Sequence, residues 1–215
     1  MSEESSYLIP FEAAESEFVE KKSRFISHIW RVESEEEARA RIEEMKKKYY
    51  DARHNCWCYI LKDGGILRYS DDGEPQGTAG QPMLNVFQRR EVYNVCCVVT
   101  RYFGGVLLGT GGLTRAYTRG AADALTASGL SRVCLWENAM VTIPYALFEQ
   151  VKLLVAGVEG IIENVEYGAE ITLELTLPQG GRDALQEKLT ELTAGQIALE
   201  ALGEEFKPGL REEVV

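Results

Sequence analysis

The segment from Val92 to Arg101, VYNVCCVVTR, is an almost unbroken apolar run, and it leads straight into the glycine-rich stretch Tyr102 to Gly112, YFGGVLLGTGG. An apolar run of this length, closed by turn residues, predicts a strand buried on both faces. The glycines that follow predict an irregular connection. Leu113 to Ser128 then carries Leu113, Tyr117, Ala121, Ala124 and Leu125 at helical spacing, and Gly129 supplies a positive-φ terminator. A chain with this order at its centre must cover both sides of a sheet.

The remaining pattern is compatible with that demand. Residues 1–20 read as an acidic extended arm that pairs at a sheet edge, and Arg24–Val32 has strand-like apolar density. Ser34 and Glu37 form a capping box ahead of the stripe Ala38, Ile42, Met45 and Tyr49, with Lys46, Lys47 and Lys48 in the last turn. Residues 54–61 and 66–70 predict a hairpin around Lys62-Asp63-Gly64-Gly65, and Pro82 to Gln88 a short helix. Beyond Gly129 the pattern becomes a strand at 133–143, a helix after Pro144, strands at 161–167 and 170–177, a helix at 181–193 that buries Leu185, Leu189 and Leu192, and a strand at 196–202. That order is βαββαβ. The expected class is α+β, in two domains, 1–130 and 131–215.

Charge narrows the partners. The net charge is −11, with 23 basic and 34 acidic residues. Residues 1–130 hold 17 basic against 19 acidic side chains, residues 131–215 hold 6 against 15, and residues 53–119 hold 8 against 5. A chain-wide basic field for nucleic acid is excluded; a local anion site is not. No apolar run approaches the roughly 20 residues of a membrane helix. Met1-Ser2-Glu3-Glu4 is acidic with no apolar stretch behind it, so a cytoplasmic chain is expected. Five cysteines without a secretory signal predict reduced thiols. His54, Cys56 and Cys58 would share one face of a strand; that suits either a zinc triplet or packing, and Cys96-Cys97 makes a poor second pair of ligands, so packing is favoured.

Two segments carry more glycine and charge than packing needs. One comprises Arg101, Gly104, Gly105, Gly109, Thr110, Gly111, Gly112, Arg115 and Arg119. A glycine turn into a helix presents unpaired N–H groups to an anion. Arg115 in the first turn is unfavourable alone and favourable with an anion seated there; Arg119 lies on the same face, and Arg101 at the strand end could complete a fork. Alternatively, these glycines only make a tight connection. The spacing fits neither the P-loop nor the dinucleotide fingerprint, so no cofactor is expected. The other segment is SDDGEPQGTAG, Ser70 to Gly80. Its Asp71, Asp72 and Glu74 could hold a divalent ion, open a turn, or bond Arg101 or Arg115 and so join the two loops, which is the favoured reading, with no metal expected. His54 is a further candidate at the site. Two histidines, no G-x-S-x-G elbow and cysteines in an apolar strand lean away from an enzyme.

Lys22-Ser23-Arg24-Phe25-Ile26, His54-Asn55, SDDGEPQGTAGQPML and NVCCVVTRYFGGVLLGTGGLTRAY resemble the IMPACT/YigZ family over nearly the whole chain. The resemblance implies a ribosomal protein S5 domain 2-like first half and a ferredoxin-like second half similar to the last domain of the translocating elongation factor. It also implies a regulator of translation, as eukaryotic relatives are; an extra domain missing from this sequence accounts for their partner, so that partner does not transfer. Three functions remain open: a translation-linked protein contacting RNA, the ribosome or a translation factor; an enzyme or sensor for a phosphorylated small molecule or nucleotide at the same loop; and a protein-interaction module.

Overall fold

The computed structural model describes residues 6–214; the acidic start, Met1 to Glu4, lies outside the described residues. The elements in chain order are β1 (Tyr7–Pro10), β2 (Ala14–Glu20), β3 (Ser23–Arg31), α1 (Glu35–Lys48), β4 (His54–Leu61), β5 (Ile66–Ser70), α2 (Gly80–Arg89), β6 (Val95–Tyr102), α3 (Thr110–Ser128), β7 (Leu130–Ile143), α4 (Phe148–Ala156), β8 (Ile161–Tyr167), β9 (Ile171–Pro178), α5 (Gly181–Thr193) and β10 (Glu200–Glu212). The class is α+β, with two sheets and five helices. No helix among the described residues is long and apolar enough to cross a membrane. The chain forms two compact units, Tyr7–Arg132 together with the segment from Gly209, and Val133–Pro208.

The first unit is built on β6. The sheet order is β2-β3-β6-β4-β5, and every neighbouring pair is antiparallel. Each residue from Val95 to Arg101 is buried, as the apolar run predicts. Alternation sends Val95, Cys97 and Val99 into a core with α2 and α3, and Cys96 and Val98 into a second core under α1. The strand begins at Val95 rather than Val92, because Asn94 turns the chain at φ +50. Its side chain accepts from Lys62 N–H at 2.9 Å and donates to Glu33 at 2.6 Å, an arrangement that needs non-strand geometry.

Helix starts differ in how their free N–H groups are met. On α1 the Ser34 hydroxyl accepts from Glu37 N–H, a cap worth about 1 kcal/mol. On α2 the carboxylate of Asp71 accepts from Ala79 at 3.0 Å and from Gly80 and Gly77 at 2.8 Å. On α5 the Glu137 carboxylate accepts from Gly180 and Arg182. α3 has no side-chain cap: its N-cap is Gly109 at φ +73. This helix starts at Thr110, three residues before the predicted Leu113, so Gly111 and Gly112 belong to its first turn.

In the second unit the order of elements is βαββαβ, and the strands lie β10-β7-β9-β8. Ile171, Leu173, Leu175 and Leu177 face inward against Val151, Val155, Leu185 and Leu189. Leu192 does not join them: it is 37% exposed on the last turn of α5. The final strand runs to Glu212, well past the predicted 202. Pro144 opens a 3-10 turn at Tyr145–Leu147, and α4 follows it.

Candidate anion-binding site

The loop between β6 and α3 is fixed by close approach. A Cβ on Gly104 would lie 2.0 Å from the carbonyl of Lys22 and 2.5 Å from Ser23 N, so only glycine fits. Gly104 N–H donates to the Ser23 hydroxyl at 3.3 Å. Gly105 and Gly109 have φ of +83 and +73, and a Cβ on either would meet nothing within 4 Å. The glycines therefore fall into two groups. Gly104 serves packing; Gly105 and Gly109 serve backbone conformation and border open space.

Two recesses flank the start of α3. The first, of about 230 Å³, is lined by Phe18, Lys21, Gly112, Arg115 and Arg119 and by one carboxylate, Glu20, which forms no ion pair with them. A Cβ on Gly111 would sit 3.5 Å from the Arg115 guanidinium, so Arg115 folds back over the first turn of its own helix. Arg115 has no acidic partner among the described residues. Arg119 bonds Asp123 at 3.2 Å and lies 4.3 Å above the Phe18 ring. Lys21, at φ +46 in the turn between β2 and β3, adds a third cation that the sequence pattern did not single out.

Arg101 does not join Arg115 and Arg119. The expected three-arginine fork is absent, because Arg101 is 5% exposed and forms an ion pair with Glu74 at 2.7 Å. Glu74 Oε1 also accepts from the Tyr117 hydroxyl at 2.8 Å. Arg101 Nη2 reaches Ser23 at 3.4 Å, while its Nε–H is buried without an acceptor. The acidic loop thus holds the two segments together through Glu74, as the ion-pair reading expects. Asp71 instead caps α2, and Asp72 accepts from Asn55 N–H at 2.6 Å.

The second recess, of about 410 Å³, has Arg101 and Glu74 in its wall together with Arg53, His54, Phe103 and Leu107, and it reaches Gly109 and Thr110. His54 and Arg101 are directly paired across β4 and β6, which puts them side by side on the α3 face. His54 Nδ1 lies 2.8 Å from the Asp72 carbonyl, which can only accept, so Nδ1 carries a proton, and in the neutral ring Nε2 is left as the acceptor. Arg53, Phe103, Leu107 and Tyr117 were not read from sequence as site residues. Arg53 was legible as the cation beside His54; Tyr117 looked like part of an apolar stripe.

The cysteines pack. Cys56, Cys58 and Cys97 enter the α2–α3 core and Cys96 the α1 core. Burial pushes the thiols of Cys56, Cys58 and Cys97 up, and that of Cys96 up to about 12, so none is a ready thiolate. Burial and the Glu74 carboxylate likewise push the Tyr117 phenol up. The site offers hydrogen-bond donors, acceptors and positive charge rather than an activated cysteine.

Residues 21–125 match the Impact N-terminal domain, and residues 141–196 match a domain of unknown function, DUF1949. The chain is 37% identical over 192 residues to the IMPACT family member YvyE of Bacillus subtilis (strain 168), covering 89% of this chain and 88% of that protein. It is 36% identical over 204 residues to the IMPACT family member YigZ of Escherichia coli (strain K12), covering 93% of this chain and 99% of that one. A solved structure described as the crystal structure of an hypothetical protein aligns with a TM-score of 0.57 at 34% identity, over 92% of this chain and 98% of that chain.

Proposed function

This chain belongs to the IMPACT family, and from that membership and the geometry at the start of α3 we infer a translation-linked binding protein that seats a phosphate of RNA on the first turn of α3. The observation that carries the reading is Arg115, folded back over an uncapped helix start with Lys21 and Arg119 lining the same recess. Cations gathered at the positive end of a helix repel the helix dipole. A phosphate between them and the N–H groups turns that repulsion into attraction. RNA or the ribosome is the partner class, approached through a local basic recess on an acidic protein.

The same inference extends to the fold names. The first unit is assigned the ribosomal protein S5 domain 2-like fold and the second the ferredoxin-like fold, with the division near Gly129-Leu130-Ser131. The βαββαβ order and the β10-β7-β9-β8 arrangement support the second assignment.

Sedimentation of the protein with ribosomes and with single-stranded RNA tests the function. One neutralised phosphate predicts a roughly threefold loss of affinity between about 50 and 200 mM salt, and each further phosphate engaged multiplies that loss by about the same factor. Arg115→Glu or Lys21→Glu should weaken association and flatten that salt dependence. Absence of association at low salt, or indifference to both substitutions, refutes the reading. The second recess supports a second reading, binding of a phosphorylated small molecule at the same loop.

A further inference from the structure

We propose that the second recess is a site for a ribonucleotide, either free or as the 3′-terminal residue of RNA, a reading that rests on the start of α3 accepting phosphate. Three kinds of surface meet in it. Leu107 is 82% exposed and Phe103 45%, both on the loop before α3, and they make an apolar wall, with the Arg101 guanidinium 5.6 Å from the Phe103 ring. Two acceptors line the same recess. His54 Nε2 has its tautomer set by the Asp72 carbonyl, and Glu74 has a second carboxylate oxygen that accepts nothing among the described residues. Donors complete the set: Arg53 and the uncapped turn at Gly109 and Thr110.

No simple ion or apolar molecule satisfies all three. A bare anion would meet the donors and leave His54 and Glu74 facing it with lone pairs. An apolar molecule would leave every polar group unmet, at the usual cost of a buried unpaired group. A ribonucleotide has a flat ring for the Phe103–Leu107 wall, two sugar hydroxyls to donate to His54 and Glu74, and a phosphate for the start of α3. Carboxylate recognition of a ribose hydroxyl is a recurrent solution at nucleotide sites. The recess, at about 410 Å³, lies within the range of small-ligand pockets.

Calorimetric titration of the full chain with adenosine 5′-monophosphate, with its 2′,3′-dideoxy counterpart and with inorganic phosphate tests this, alongside short oligoadenylates of RNA and DNA. The expected result is a preference of about tenfold for the ribose forms. His54→Ala should cut that preference to about threefold, and Leu107→Asp, at an exposed tip remote from the core, should weaken ribonucleotide binding while leaving the melting temperature unchanged. Binding of the mononucleotide identifies a free nucleotide as the source; binding of RNA alone identifies a 3′-terminal residue. Equal binding of ribose and deoxyribose forms, indifference to His54→Ala, or no binding of any probe overturns the proposal. Mononucleotide titration uses no ribosomes, so failed ribosome association leaves it readable, and its own failure leaves the effect of Arg115→Glu on ribosome association standing.

Discussion

Replacing Glu74 by Ala isolates the worth of the contact that joins the two motif segments. Glu74 and Arg101 side chains are 3% and 7% exposed and 2.7 Å apart. Removing the carboxylate leaves a guanidinium buried without a counter-charge, which costs about 3–5 kcal/mol. The Tyr117 hydroxyl also loses its acceptor. Arg101→Met in the same chain removes the stranded charge and keeps the packing against Phe25 and Phe103, so the double variant should recover about 2 kcal/mol or more relative to Glu74→Ala. Urea unfolding followed by tryptophan fluorescence is the assay, in a Trp136→Phe background. The two remaining tryptophans, Trp30 and Trp57, then report on the first unit alone. With a slope of about 2 kcal/mol per molar urea, Glu74→Ala should lower the midpoint by roughly 2 M. A loss below about 1 kcal/mol, or additive single and double variants, would refute the view that this pair is a desolvated and mutually dependent unit.

Other outcomes follow from the same geometry. Gly104→Ala would drive a methyl group into the backbone of Lys22, so a loss of about 1–3 kcal/mol and a clear fall in melting temperature are expected. Gly111→Ala, whose Cβ meets only the end of Arg115, should be neutral or stabilising by about 0.5 kcal/mol; a fall like that of Gly104→Ala would contradict this placement of the helix start. Stability should also depend on His28, which is 5% exposed, with Nε2 2.9 Å from the Tyr49 hydroxyl and Nδ1 3.4 Å from Glu15. Burial holds its pKa below 6.5, partly offset by Glu15, so below that pH the unfolded chain binds the extra proton. Stability is lost as pH falls through about 6.5 and levels off once the folded histidine also titrates. His28→Gln should flatten urea midpoints between about pH 7 and 5, and an unchanged slope would show that another group titrates.

The sequence made the two-sided strand legible because burial of β6 on both faces needs only an apolar run, and the α1 cap because Ser34 and Glu37 are neighbours. Non-local partners were harder to read. Asp71 caps a helix that begins nine residues later, and nothing in the spacing says which of three carboxylates takes the arginine. The arginine fork failed for a definite reason. Arg101 has the parity of Val95, Cys97 and Val99, which sends it inward to Glu74, whereas Arg115 and Arg119 lie on the flank of α3. The first turn of α3 was misplaced because helix propensity argues against two glycines at a helix start, and here the backbone follows the Gly109 turn instead.

The position of β6 has a consequence for biosynthesis. β3 and β4 both bond to it and not to each other, so the β2–β3 and β4–β5 hairpins have no common partner until residue 102 has been made. A nascent chain halted before that point carries two orphan hairpins, each with an apolar border waiting for the same strand. Such intermediates are prone to off-pathway pairing, and the first unit closes in one late event rather than growing from its amino end.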